Sequence, residues 1–232
     1  MKKIISLLLF SLICFSLSCY SFAASRAYPW VQNKTNWCWA TVAKAQINTR
    51  VGSVNVPSTY VKYDSQKGIR TAYCLYSNGK YIPDRAQEYI VRTYKTGTAF
   101  DDPELEDNLT GSCSETANAV ESMTGYSVSY YGTWKTLPFS NSSTRKTYID
   151  DKLVTDSKEI CGNLYDRSDD ASVAKGHSLL ITQKTSSGNY KTWNPWTNSY
   201  TTYTPDTLFS SGLYAAPLSS IAMYCESVVY FD

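Results

Sequence analysis

Between Leu153 and Glu159 the chain changes period, and that change limits what it can fold into more than any other feature. Before it, the apolar residues recur at helical spacing. One helical stretch runs from an Asn36 N-cap to the stop at Val51-Gly52, and a second from Asp84 to about Tyr94 with Gly97 as terminator. A third is capped by Ser112 or Ser114 and ends at Met123-Thr124-Gly125, and a short fourth covers residues 143–153. After it come short runs of β character at 159–165, 177–183, 190–193, 199–203 and 221–230. They are separated by turn signals such as Ser187-Gly188-Asn189, Asn194-Pro195 and Ser210-Ser211-Gly212. Helices first and strands later predict an α+β protein with segregated halves. No repeat, charge block or Pro/Gly linker divides the sequence, so one domain is expected over residues 24–232.

Residues 1–23 read as a secretory signal. Lys2 and Lys3 precede an apolar stretch from Ile4 to about Phe22, and Ser21-Phe22-Ala23-Ala24 supplies the small residues of a cleavage site. The serines interrupting the stretch argue against a transmembrane anchor, so no stable membrane insertion is expected after cleavage. Removing the segment takes Lys2 and Lys3 from the 22 basic residues, leaving 20 against 20 acidic ones. Nothing in a neutral chain of this kind suggests a phosphate-binding surface, which argues against nucleic acid as a partner. The expected location is secreted, extracellular or periplasmic.

The same cleavage removes Cys14 and Cys19 and leaves five cysteines: Cys38, Cys74, Cys113, Cys161 and Cys225. Outside the cell thiols that can pair usually do, so an odd number leaves one over. The simplest partition keeps Cys38 free and pairs the other four; of the three possible connectivities Cys74–Cys113 with Cys161–Cys225 is favoured, and five reduced, buried thiols are the alternative. No CxxC pair occurs and His177 is the single histidine, so neither a metal nor a cofactor is expected.

Cys38 lies in Asn36-Trp37-Cys38-Trp39-Ala40, at the predicted start of a helix, where the dipole and open N–H groups favour a thiolate. An imidazole is the commonest partner for that ion, and His177, in Gly176-His177-Ser178, is the one candidate base of its type. Taken singly, a cysteine at a helix start is ordinarily a small buried residue, and a histidine on an apolar strand a satisfied core group.

In combination these motifs resemble the papain-like cysteine peptidases. The matching positions are Gln32, six residues before Cys38; Cys38-Trp39-Ala40; Gly176-His177; and Asn194 in Trp193-Asn194-Pro195-Trp196, seventeen residues after the histidine. The Asn-Trp-Cys-Trp-Ala core is most similar to the bacterial branch that includes the bacteriocin-leader (C39-like) peptidases and the AvrRpt2-type secreted peptidases. The resemblance implies a helical N-terminal lobe packed on a C-terminal antiparallel β-sheet lobe, with the active site between them. It implies Cys38 as nucleophile, His177 as base, Asn194 as its orienting group and Gln32 as an oxyanion donor, with Trp193 or Trp196 covering the Asn–His contact. The substrate is then a protein or peptide, and the enzyme is either active once folded or restrained by a separate inhibitor or immunity protein, since too few residues separate the expected cleavage site from Gln32 for a folded inhibitory propeptide. Many bacterial relatives have Asp-Pro where this chain has Asn194-Pro195. Two other functions fit the same residues: another thiol acyl-transfer enzyme, of transglutaminase or cell-wall amide hydrolase type, or a binding protein on an inert scaffold.

Overall fold

A computed structural model of the chain describes residues 31–32, 36–55, 61–64, 69–72, 76–77, 80–81, 85–94, 110–131, 142–156, 159–165 and 176–232. The predicted signal, Cys74 and Gly97 lie outside the described residues. Helix α1, Cys38–Val51, is buried at every residue from Cys38 to Ile47. A helix enclosed all round is a core element, not a surface one. Trp37 precedes it with φ −91° and ψ 14°, and no side chain caps it. The helix therefore begins one residue later than an Asn36 cap predicts. Trp37 is fully buried, and its carbonyl accepts the first helical bond from the Thr41 N–H at 2.9 Å.

Two ribbons follow: β1 (Val61–Asp64) pairs with β2 (Ile69–Ala72), and β3 (Tyr76–Ser77) with β4 (Lys80–Tyr81). Helix α2 spans Arg85–Tyr94 and α3 spans Cys113–Thr124. Ser112 caps α3 in a reciprocal box. Its hydroxyl accepts from the Glu115 N–H at 3.3 Å, while its own N–H donates to the Glu115 carboxylate at 2.7 Å. Gly125 closes α3 at φ 71°, a left-handed conformation glycine adopts without steric cost.

The remaining elements are β5 (Val128–Tyr131), α4 (Ser142–Asp156), β6 (Ile160–Tyr165), β7 (Gly176–Lys184), β8 (Tyr190–Asn194), β9 (Ser199–Tyr203) and β10 (Tyr224–Phe231). They build one six-stranded antiparallel sheet in the order β5-β10-β6-β7-β8-β9. The protein is thus α+β, as predicted, but its halves are less segregated than the sequence suggests. Four short strands fall between α1 and α2, β5 precedes α4, and helices cover both faces of the sheet. On one face Val42 and Ala45 of α1 and Ala117 of α3 pack with Cys161, Leu180, Trp193 and Val229. On the other, Ile149 and Leu153 of α4 pack with Leu164, Leu179, Ile181 and Cys225. Strands buried on both faces read as continuous apolar runs, which is the pattern of Leu179-Leu180-Ile181.

That alternation corrects the predicted crosslink between Cys161 and Cys225: both are free thiols. Cys161 pairs with Val229 and faces α1, whereas Cys225 pairs with Leu164 and faces α4. Three positions along a strand, about 10 Å, separate them as well, beyond the roughly 7 Å Cα separation a disulfide tolerates. The predicted Cys74–Cys113 pairing falls on Cys74, outside the described residues; the Cys113 sulfur lies 2.8 Å from the Ser227 hydroxyl.

Two polar ties hold the layers in register. Gln46 of α1 donates its amide to the carbonyls of Glu159 at 3.2 Å and Val229 at 3.1 Å. Arg145 of α4 pairs with Glu226 at 3.2 Å, where β10 bulges between Cys225 and Ser227; the Glu226 side chain is fully buried. Among the described residues no helix is long and apolar enough to cross a membrane.

Candidate active site

Cys38 is the first residue of α1, so its sulfur sits where the helix dipole and the open N–H groups of the first turn converge. His177 is the second residue of β7, directly opposite Leu164 of β6. Leu180 pairs with Trp193, and continuing that register sets Asn194, the last residue of β8, one diagonal step from His177. The imidazole Nε2 and Asn194 Oδ1 are 2.9 Å apart, both side chains buried.

The neighbours of Asn194 settle which atom does what. Its Nδ2 donates to the Ala216 carbonyl at 2.8 Å, and its Oδ1 accepts from the Trp196 N–H at 2.9 Å. Since Oδ1 only accepts, Nε2 must carry a proton, which leaves Nδ1 to face Cys38. The same geometry explains the amide in place of a carboxylate: aspartate would set an oxygen against the Ala216 carbonyl, acceptor against acceptor. Trp193 precedes Asn194 on β8. Its ring is fully buried on the α1 face, and its Nε1–H donates to Asn198 Oδ1 at 2.9 Å.

Burial alone raises the Cys38 pKa by disfavouring the charged thiolate. The hydrogen bond and positive charge of His177, with the backbone N–H of Ser178, outweigh it and hold the thiol below its ordinary value. Cys161 and Cys225 move the other way. Burial and neighbouring thiols raise Cys161 well above its usual value, and burial with the Glu226 carboxylate nearby takes Cys225 to about 12. Near pH 6, an iodoacetamide-type reagent is therefore expected to label Cys38 far faster than Cys161 or Cys225. In His177→Ala burial is opposed only by the Ser178 hydrogen bonds, so the Cys38 pKa rises and the low-pH labelling falls away. Equal labelling of the three thiols in the native protein overturns the assignment.

Gln32 is buried, and its N–H donates to the Pro195 carbonyl at 2.9 Å. The structure therefore gathers all four predicted site residues at one end of the sheet, where α1 begins. It also adds residues the sequence did not indicate. Ser178 pairs with Asn163 across the β6–β7 ladder and donates its hydroxyl to Asn163 Oδ1 at 2.6 Å. Asn163 Nδ2 donates to Cys113 Sγ at 3.1 Å, and that sulfur lies 2.8 Å from the Ser227 hydroxyl. This chain of buried polar groups backs the cysteine from the sheet side. Its one sequence signal is an asparagine inside the apolar run Ile160-Cys161-Gly162-Asn163-Leu164, since a buried amide must find partners.

No group of three or more His, Cys, Asp or Glu side chains suited to a metal occurs among the described residues. No protein-family model matches the chain, and no curated protein matches it either.

Proposed function

We propose that the protein is a secreted, papain-like cysteine peptidase that hydrolyses peptide bonds through an acyl-thioester. The observation that carries this reading is the order of contacts: a cysteine at a helix N-terminus with its pKa lowered by His177, and His177 held at its far nitrogen by Asn194 at 2.9 Å. That arrangement is what a thiolate nucleophile with an oriented base requires.

In the proposed reaction the Cys38 thiolate attacks the scissile carbonyl carbon, forming a C–S bond while the carbonyl oxygen becomes an oxyanion. The Gln32 side-chain amide and the Cys38 backbone N–H donate to that oxyanion. Its collapse breaks the C–N bond, and the leaving amine takes the proton from His177 Nδ1. A water then gives its proton to His177 and attacks the thioester, releasing the carboxylic acid and returning the sulfur as thiolate. Asn194 keeps the ring aimed throughout.

The test is to incubate the purified mature protein with an unstructured protein, with and without a thiol-reactive epoxide, and to identify products and the modified residue by mass spectrometry. New peptide termini, suppressed by an epoxide attached at Cys38, are the expected outcome. Amine-exchanged glutamine side chains or cleavage confined to murein amides assign the site to another acyl-transfer class. An unreactive Cys38 with no product leaves the binding-protein alternative.

A further inference from the structure

Gln87 lies far from Gln32 in sequence but is tied to it in the fold. It is the third residue of α2, and its side chain is fully buried. The Nε2 donates to the Val31 carbonyl at 3.0 Å, and the Oε1 lies 2.9 Å from the Thr41 hydroxyl, whose single proton it shares with the Trp37 carbonyl at 2.8 Å. A peptide carbonyl only accepts, so the orientation of the Gln87 amide follows from its partners. The carbonyl it holds belongs to the peptide unit between Val31 and Gln32. The other polar atom of that unit, the Gln32 N–H, donates to Pro195 at 2.9 Å.

One peptide plane is thus gripped at both polar atoms. On the carbonyl side the grip leads through Gln87 to Thr41, one turn into the helix that Cys38 opens. On the N–H side it leads to the turn that follows Asn194. A planar peptide leaves only rotations at the flanking Cα atoms, so fixing the plane fixes where the Gln32 Cα sits and leaves the turn about its N–Cα bond to aim the side chain.

We propose that Gln87 is the positioning residue for Gln32, setting the oxyanion donor in register with the nucleophile's helix. The proposal rests on the cysteine-peptidase reading. It predicts an effect on the step that creates the oxyanion and none on the thiolate, because an oxyanion donor acts in the transition state and not on the resting sulfur.

The experiment is a double-mutant cycle of Gln87→Met and Gln32→Ala, with kcat and KM measured on a peptide amide and the pH profile of Cys38 alkylation measured in parallel. Gln32→Ala alone is expected to lower kcat by about 10²–10³-fold. Gln87→Met, of similar volume but without the amide, is expected to lower kcat by about tenfold or more with KM and alkylation unchanged, and to add little once Gln32 is alanine. If Gln87→Met does not fold, Thr41→Val carries the same cycle, since it removes the hydroxyl that pins Gln87 while leaving the amide in place. Multiplicative effects in the double variant, or an alkylation profile shifted together with kcat, overturn the proposal while leaving the peptidase reading intact. A native protein that alkylates at Cys38 but cleaves no amide removes the reading itself.

Discussion

Cys38→Ala and His177→Ala each abolish turnover, with losses of about 10⁴–10⁶-fold in kcat expected from the removal of a nucleophile or its base. The double variant is no worse than either alone, because the two groups act as one unit. Alkylation at low pH separates them. Cys38→Ala has no sulfur to label, whereas His177→Ala keeps the sulfur but loses the imidazole that outweighs the cost of burial. Asn194→Ala leaves both reacting groups and removes only the bond that fixes the ring, so it lowers the rate less and retains part of the thiol reactivity. Cleavage and thiol kinetics on the purified variants check this order. A biological effect that survives Cys38→Ala undiminished removes the peptidase reading and favours a binding role.

Glu226→Ala is expected to be the most damaging single change outside the site. Its carboxylate is fully buried at the β10 bulge and pairs with Arg145 of α4, itself nearly enclosed. Removing one partner strands a buried guanidinium, a loss of about 3–5 kcal/mol. For a domain of this size the midpoint of thermal unfolding then falls by on the order of 10 °C. Joining Glu226→Leu to Arg145→Met removes both charges and is expected to restore most of the loss, since an apolar pair of similar volume fills the same space. A Glu226→Ala variant that melts with the native protein shows that the pair contributes nothing.

What the sequence made legible follows from how local each signal is. The C-terminus of α1 and both ends of α3 were visible because Gly52, Ser112 and Gly125 act within one turn. The β7–β8 hairpin was visible because Gly188, at φ 81°, marks its turn. Strand β5 was missed: Val128-Ser129-Tyr130-Tyr131 is a half-exposed edge strand whose one partner, β10, lies about a hundred residues away. The predicted run at 221–230 starts early because Met223 pairs with Leu213 in an isolated bridge before β10 begins. Sidedness was equally hidden, for nothing local tells α4 to pack opposite α1, or Cys161 and Cys225 to face apart. In the site, Cys38, His177, Asn194 and Gln32 each stand in a short motif. Gln87 and the Ser178–Asn163 pair do not, because a buried amide is defined by partners that only the tertiary fold brings to it.

The enclosure of α1 has a consequence for how the protein ages and fails. Many enzymes carry their reacting groups on loops that open while the rest stays folded, so activity fades before structure does. Here the helix behind Cys38 is buried over its first ten residues, between the sheet and two other helices. Beyond the first turn its amide hydrogens are expected to exchange among the slowest in the domain. Loss of the Cys38 helix is then expected to coincide with loss of the fold, so thiol reactivity and melting are expected to fail together.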